Sequence, residues 1–150
     1  MANISPYHIH RLTDQHDPLF ALWADDPVRP HIDHAWRMTG PGCAVFALME
    51  GSSVLAMVCM AARDRVPANE QDLMEGSVGP IAVFYTIWSY SPGGGRRLIQ
   101  QLRTWLAEGC ADFSKFVTLS PKTEMARRFH INNGAREMRM NETTVNYEYA

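Results

Sequence analysis

Apolar and polar positions along the chain alternate with two periods, and the elements follow from them. "YHIHRL" (Tyr7 to Leu12) alternates residue by residue and predicts a short first strand. In "TDQHDPLFALW", Leu19, Leu22 and Trp23 stand at helical spacing behind a Thr13/Asp14 start signal. Pro27 and Pro30 break the chain, and "HIDHAWRM" predicts a second short helix that ends at Thr39-Gly40-Pro41-Gly42. Cys43 to Met49 and Val54 to Met60 are apolar strand-like runs, joined as a hairpin through Glu50-Gly51-Ser52-Ser53.

A polar segment, Arg63 to Gly79, precedes "PIAVFYTIWSYS", a nearly unbroken apolar run of the kind expected for a strand buried on both faces. After Pro92-Gly93-Gly94-Gly95, "RRLIQQLRTWLAEG" carries Leu98, Ile99, Leu102, Trp105 and Leu106 as a helical stripe closed by Gly109. "FVTL" predicts a further strand and "TEMARRFHINNG" a helix capped by Gly134. "TTVNYEYA" alternates, with Val145, Tyr147 and Tyr149 on one face. The order is β, α, α, β, β, β, α, β, α, β, with no repeat and no internal linker. That predicts one α+β domain over residues 1–150, with helices flanking a central sheet.

Composition narrows the function classes. A chain of 150 residues is long enough for one real core, and a net charge of −2 argues against a dominant nucleic-acid or membrane role. Three cysteines, Cys43, Cys59 and Cys110, form no C-x-x-C pair, which suits reduced thiols and a cytoplasmic setting. The N-terminal "MANISPYHIHRL" has no apolar signal core, and no apolar stretch is long enough to span a bilayer.

Candidate chemistry concentrates in the second half. Glycines 93 to 95 permit a tight turn and a close backbone approach at the start of the best helix, whose unpaired amides favour an anion. Gly93, Gly94, Gly95, Arg96 and Arg97 together make a candidate diphosphate cradle. The spacing matches neither G-x-x-x-x-G-K-[ST] nor G-x-G-x-x-G, so a plain turn requiring positive φ explains the same residues.

The order of elements resembles the acyl-CoA-binding fold of the GNAT acetyltransferases. In that family [QR]-x-x-G-x-[GA] opens the long helix and holds the CoA pyrophosphate; here the glycines fall on Gly93 and Gly95, and Tyr90 stands where Gln or Arg is usual. Ala126, His130 and Gly134 occupy the spacing of the family's A-x-x-x-Y-x-x-x-G, with His130 replacing the tyrosine that protonates the departing thiolate. From the central strand onward the chain is similar to the C-terminal catalytic domain of malonyl-CoA decarboxylase. The resemblance is carried by "AVFYTIWS", Gly95 with "LIQQL", "FVTLSP", "ARRFHINNGA" and "VNYEY", with looser matches at "CAVFALMEG" and "ANEQDLM". It departs in the nine residues, 121 to 129, between Ser120 and His130, where that family carries a long insertion, and in Pro121-Lys122-Thr123-Glu124-Met125 in place of "P-[IV]-P-G-F". The family's helical N-terminal domain has no counterpart.

The resemblance implies a GNAT-like, largely antiparallel mixed sheet splayed between two central strands, with the thioester lying between the strand ending near Tyr90 and the strand ending near Ser120. It implies that Ser120 and His130 hold a malonyl carboxylate and that His130, with an ordinary pKa of about 6.5, helps protonate the enolate carbon. Asn132 or Asn133 would orient the imidazole, and Tyr147 would orient the substrate. The implied substrate is a CoA thioester, malonyl-CoA or acetyl-CoA, with no metal, no nucleic acid and no membrane partner; the closing strand is a candidate seam for a homodimer. Two alternatives stand beside decarboxylation: a GNAT N-acetyltransferase using Glu70, Glu75 or a water-linked acid as base and Tyr147 or Tyr149 as acid, and an inactive CoA-binding module.

The residues alone also support structural roles. Ser120 before Pro121 reads as a helix N-cap with Pro at N1, and His130 in a last helical turn is favoured by the dipole. A Ser–His covalent nucleophile lacks a third orienting acid. His8/His10 and His31/Asp33/His34 have no strong metal-ligand pattern. The nine methionines read as core filler and Arg127-Arg128 as a solvated face.

Overall fold

The computed structural model describes residues 6–109 and 112–150, so Cys110 lies outside the described residues. Strands β1 (Tyr7–Leu12), β2 (Cys43–Glu50), β3 (Ser53–Arg63), β4 (Ile81–Ser89), β5 (Lys115–Thr118), β6 (Ser120–Pro121), β7 (Arg136–Met140) and β8 (Thr144–Tyr149) form one mixed sheet. Its order is β1-β2-β3-β4-β5-β8-β6, with β7 on the other side of β8. Among the described residues only β4 and β5 run parallel; the other strand pairs are antiparallel.

The unbroken apolar runs arise because both faces of the middle strands are covered. In β2, Cys43, Val45, Ala47 and Met49 face one core with Trp23, Leu73, Tyr85 and Trp88. Ala44, Phe46 and Leu48 face a second core beneath α3 (Gly94–Glu108), which contributes Leu98, Ile99, Leu102 and Leu106. Each of these aliphatic side chains, fully removed from water, adds roughly 1.5–3 kcal/mol of burial. Trp105, counted in the same stripe by period, is 44% exposed and meets Phe46 edge-on at 5.4 Å. The β2–β3 hairpin turns at Gly51, whose φ of 59° lies in the left-handed region.

Several elements differ from the periodicity. The first helical segment is a 3-10 helix over Phe20–Asp25, followed by α1 (His34–Thr39) with Asp33 as its cap. The polar segment contains α2 (Glu70–Glu75), capped by Asn69 and too short for a period to register. Thr123, not Ser120, caps α4 (Glu124–Asn132), its side chain accepting from Ala126 N–H at 3.2 Å. Ser120 is extended and pairs with Val145 in β8. Met138 apart, β7 is exposed, and it occupies the outer flank of β8 while β5 and β6 occupy the inner one. The closing strand is therefore not an open edge, and the seam expected there for a second copy is taken. No helix among the described residues is long and apolar enough to cross a membrane.

Candidate active site

Strands β4 and β5 pair only from Ile81 opposite Lys115 to Phe84 opposite Thr118. Beyond that point Leu119 N–H still reaches Phe84 O at 3.1 Å, and then the chain turns away as β6 toward β8. The second half of β4 is left without a strand partner on that side. On its other side the register against β3 slips between Cys59 and Met60, which face Thr86 and Phe84, so Tyr85 is the extra residue of a β-bulge. A cavity of about 680 Å³ fills the splay, lined by Tyr85 to Ser89 on one wall and by Ser120, Phe129 and His130 on the other, with Pro27 and Val28 at one rim.

Ser120 and His130 both line this cavity. Ser120 is buried and its hydroxyl donates to Thr118 Oγ1 at 2.8 Å, an oxygen that also accepts from Tyr147 N–H at 3.1 Å. His130 is buried, stacked on Tyr147 with ring centroids 5.2 Å apart, and its Nδ1 lies 2.7 Å from the Tyr149 hydroxyl. The imidazole's orienting partner is Tyr149, neither Asn132 nor Asn133. Asn132 is exposed, and Asn133 is the C-cap of α4, bonded through its backbone. Tyr147 acts on the ring by stacking rather than on the cavity, whose lining it does not join.

Burial pushes the His130 imidazole down to about 4, so the ring is neutral at pH 7. It holds no spare proton there, and delivery of a proton from an ordinary imidazolium gives way to hydrogen-bond donation. The tautomer follows from satisfaction of buried groups: if the Tyr149 O–H donates to Nδ1, no phenolic proton is stranded and Nε2 carries the hydrogen. Desolvation raises the Tyr149 pKa well above the ordinary range, which keeps that O–H in place. Nε2 has no protein partner among the described residues.

The glycine turn is only partly available. Gly93 adopts φ 76° with open space around it, while Gly94 and Gly95 are buried. A Cβ on Gly94 would sit 2.4 Å from Leu55 O, and one on Gly95 would sit 2.8 Å from Ser89 Oγ and 3.1 Å from the Phe129 ring. The Gly94 N–H is bonded to Ser91 O at 3.1 Å and the Gly95 N–H to Ser89 Oγ at 2.7 Å. Two of the amides expected to hold a diphosphate therefore already have partners. Arg96 is exposed at this turn, and Arg97 lies over the Tyr7 ring at 4.0 Å. Tyr90 takes another role: its hydroxyl donates to Asp25 Oδ2 at 2.7 Å and accepts from Trp88 Nε1 at 3.0 Å, and it does not line the cavity.

A buried ionic frame beside the bulge had no sequence signal beyond scattered charges. Asp26 Oδ2 accepts from Arg37 Nη1 at 2.8 Å, and Asp26 Oδ1 accepts from Val28 N–H, Arg29 N–H and Thr86 Oγ1 at 2.8, 2.9 and 2.8 Å. Desolvation is the largest influence on the Asp26 carboxyl and would raise its pKa, but hydrogen bonds from the Arg29 N–H, Arg37, the Val28 N–H and Thr86 outweigh it and hold the group below the ordinary range. Arg29 pairs with Glu70 at 3.3 Å and donates to Tyr85 O. Two of the histidines outside the site are likewise engaged: His31 pairs with Glu70 at 2.7 Å and His10 with Asp17 at 2.6 Å. No group of three or more His, Cys, Asp or Glu among the described residues could hold a metal ion.

No family model matches the sequence, and no curated protein matches it. Solved structures do. Malonyl-CoA decarboxylase from Agrobacterium vitis superposes with a TM-score of 0.66 at 22% identity, over 82% of this chain and 35% of that one. The loading GNATL domain of CurA from Lyngbya majuscula gives 0.67 at 14% identity, over 95% of this chain and 97% of that domain. PaiA N-acetyltransferase from Thermoplasma acidophilum, solved in complex with coenzyme A, gives 0.59 at 7% identity, over 95% and 98%. The chain spans about a third of the length of the malonyl-CoA decarboxylases that it matches. What these likenesses establish is the architecture: a mixed, splayed sheet flanked by helices, the fold of GNAT-like domains and of the malonyl-CoA decarboxylase C-terminal domain.

Proposed function

We propose that this domain binds a CoA thioester in the splay between β4 and β6 and decarboxylates its malonyl group, giving acetyl-CoA and CO2. The observation that carries this is the cavity lining: Ser120 and a neutral His130 stand together in it, and it contains no Asp, Glu, Lys or Arg. A carboxylate brought there leaves water for neutral donors, the His130 Nε2–H and the Ser120 hydroxyl, whose proton would turn to it from Thr118 Oγ1. No cation holds its charge in place, so the ground state gains little from the site.

Loss of CO2 moves the negative charge onto the thioester oxygen of an enolate. The free edge of β4 beyond Phe84 presents alternate backbone N–H groups toward the cleft, and one well-placed donor to such an oxygen is worth roughly 3–4 kcal/mol. The proton that completes the acetyl group comes from water. At the far end, Arg96 and the start of α3 face the diphosphate, which would take over the Gly95 N–H from Ser89 Oγ.

Transfer to an amine is disfavoured by the same lining, because it needs a general base. Glu70 is tied to Arg29 and His31, and Glu75 accepts from Gln71 at the exposed end of α2; neither lines the cavity. Incubation with malonyl-CoA alone should release CO2 and form acetyl-CoA in equal amounts. Release of free CoA from acetyl-CoA only when an amine is added, with no CO2 from malonyl-CoA, would replace decarboxylation with acyl transfer.

A further inference from the structure

We infer that Asp26 and Arg29 form a clamp that presets the β4 bulge for the thioester carbonyl, making both of them, and Thr86, positioning residues of the site. This rests on the proposal that a CoA thioester occupies the splay. Tyr85 has no register partner in β3, because the bulge passes it by, and none in β5, whose pairing stops at Phe84. What holds this doubly unpaired residue is Arg29, which donates from Nη1 to Tyr85 O. The next residue, Thr86, is held by its hydroxyl on Asp26 Oδ1 at 2.8 Å.

The clamp is itself rigid. Arg37 is fully buried and braces both jaws, donating to Asp26 Oδ2 at 2.8 Å and to Arg29 O at 2.7 Å. Glu70, from α2, pairs with the Arg29 guanidinium at 3.3 Å. Such a buried frame adds little net stability over an apolar one, since desolving the charges offsets most of their attraction. Its value is geometric: it holds two consecutive residues, Tyr85 by its carbonyl and Thr86 by its hydroxyl, at the point where the sheet opens. Between the two jaws, Pro27 and Val28 reach the cavity rim, so the clamp and the cleft wall are one loop.

The test reads the carbonyl directly. Isotope-edited infrared spectra of [1-13C]acetyl-CoA bound to the wild-type protein should show the thioester stretch shifted to lower frequency than in free acetyl-CoA. In Thr86→Val the shift should fall by half or more while CoA affinity stays within about 3-fold, and Thr86→Ser should restore it. Arg29→Gln should behave like Thr86→Val, and if it fails to fold the Thr86 pair decides alone. With malonyl-CoA, kcat in Thr86→Val should fall roughly 10- to 100-fold with KM little changed. An unshifted carbonyl in the wild type, or a full shift retained in Thr86→Val, overturns the clamp. A shifted carbonyl in a protein that releases no CO2 leaves the clamp standing and overturns decarboxylation. Absence of any acetyl-CoA binding overturns both.

Discussion

The Tyr149 hydroxyl lies 2.7 Å from His130 Nδ1, joining the closing strand to α4 across 19 residues of sequence. With the Tyr149 O–H as donor, the imidazole proton sits on Nε2, and the proposed decarboxylation uses that N–H in the cavity that His130 lines. Tyr149→Phe keeps the packing and removes that direction. We expect decarboxylation to fall by up to about 100-fold, with loss of only ~1 kcal/mol of stability. Steady-state CO2 release beside urea denaturation separates the two effects; equal activity in the variant would mean that the ring orients itself.

The neutral state of His130 makes a pH prediction whose sign is fixed. Its folded pKa, about 4, lies below the ordinary 6.5, so the unfolded chain takes up the proton first as pH falls. The contribution is complete above pH 6.5, drains away between 6.5 and about 4, and is gone below that. The loss is on the order of 3 kcal/mol. Denaturation midpoints of the wild type should fall over this window more steeply than those of His130→Gln, which cannot titrate. Parallel curves would place the imidazole in water.

Ser120 and Thr123 offer a contrast between chemistry and capping. Thr123→Ala removes the α4 cap and should cost about 1 kcal/mol. Ser120→Ala removes a hydroxyl from the cavity wall and from Thr118 Oγ1, and should abolish most turnover at a smaller cost in stability. Chemical denaturation together with turnover on the same two variants would show the crossing; a Ser120→Ala protein that loses its helix and keeps its rate would return Ser120 to a structural role.

Much of this site could be read from the chain because it depends on local signals. The strand in "FVTL", the helix that follows it with Gly134 just past its end, and the imidazole in that helix's last turn are legible from period and punctuation, and the family resemblance implies a joint role for Ser120 and His130. The capping residue was misassigned because Ser-Pro and Thr-Glu both satisfy local rules, and only the pairing of Ser120 with Val145 decides between them. Asn132 and Asn133 are only the sequence neighbours of His130, whereas its partner Tyr149 arrives through the sheet. The Asp26–Arg37–Arg29 frame left no trace, since charges 3 and 11 residues apart in a proline-broken loop look solvated until the fold buries them. Strand β7 was missed because, Met138 aside, "REMRM" is exposed and carries no alternating apolar face.

If the proposed diphosphate binds at the glycine turn, Ser89 Oγ and the diphosphate would compete for the Gly95 N–H. Ser89→Ala should lower stability by about 1 kcal/mol through loss of the bond to Gly95, while CoA binds at least as tightly as to the wild type. Gly94→Ala, whose Cβ would meet Leu55 O at 2.4 Å, should cost roughly 1–3 kcal/mol by collision, and Gly93→Ala about 1–2 kcal/mol through its positive φ despite open surroundings. Calorimetric titration with CoA and thermal melts check these in one series; weaker binding by Ser89→Ala would mean the hydroxyl itself touches the ligand.

The most direct measurement follows [1,2,3-13C]malonyl-CoA by NMR in D2O, with no amine present, in the wild type and in His130→Ala. Disappearance of the malonyl signals, with matching growth of 13CO2 or bicarbonate and of monodeuterated acetyl-CoA, is expected in the wild type and not in the variant. Malonyl-CoA that stays intact with the wild-type protein, or decays equally fast with His130→Ala, would contradict the account.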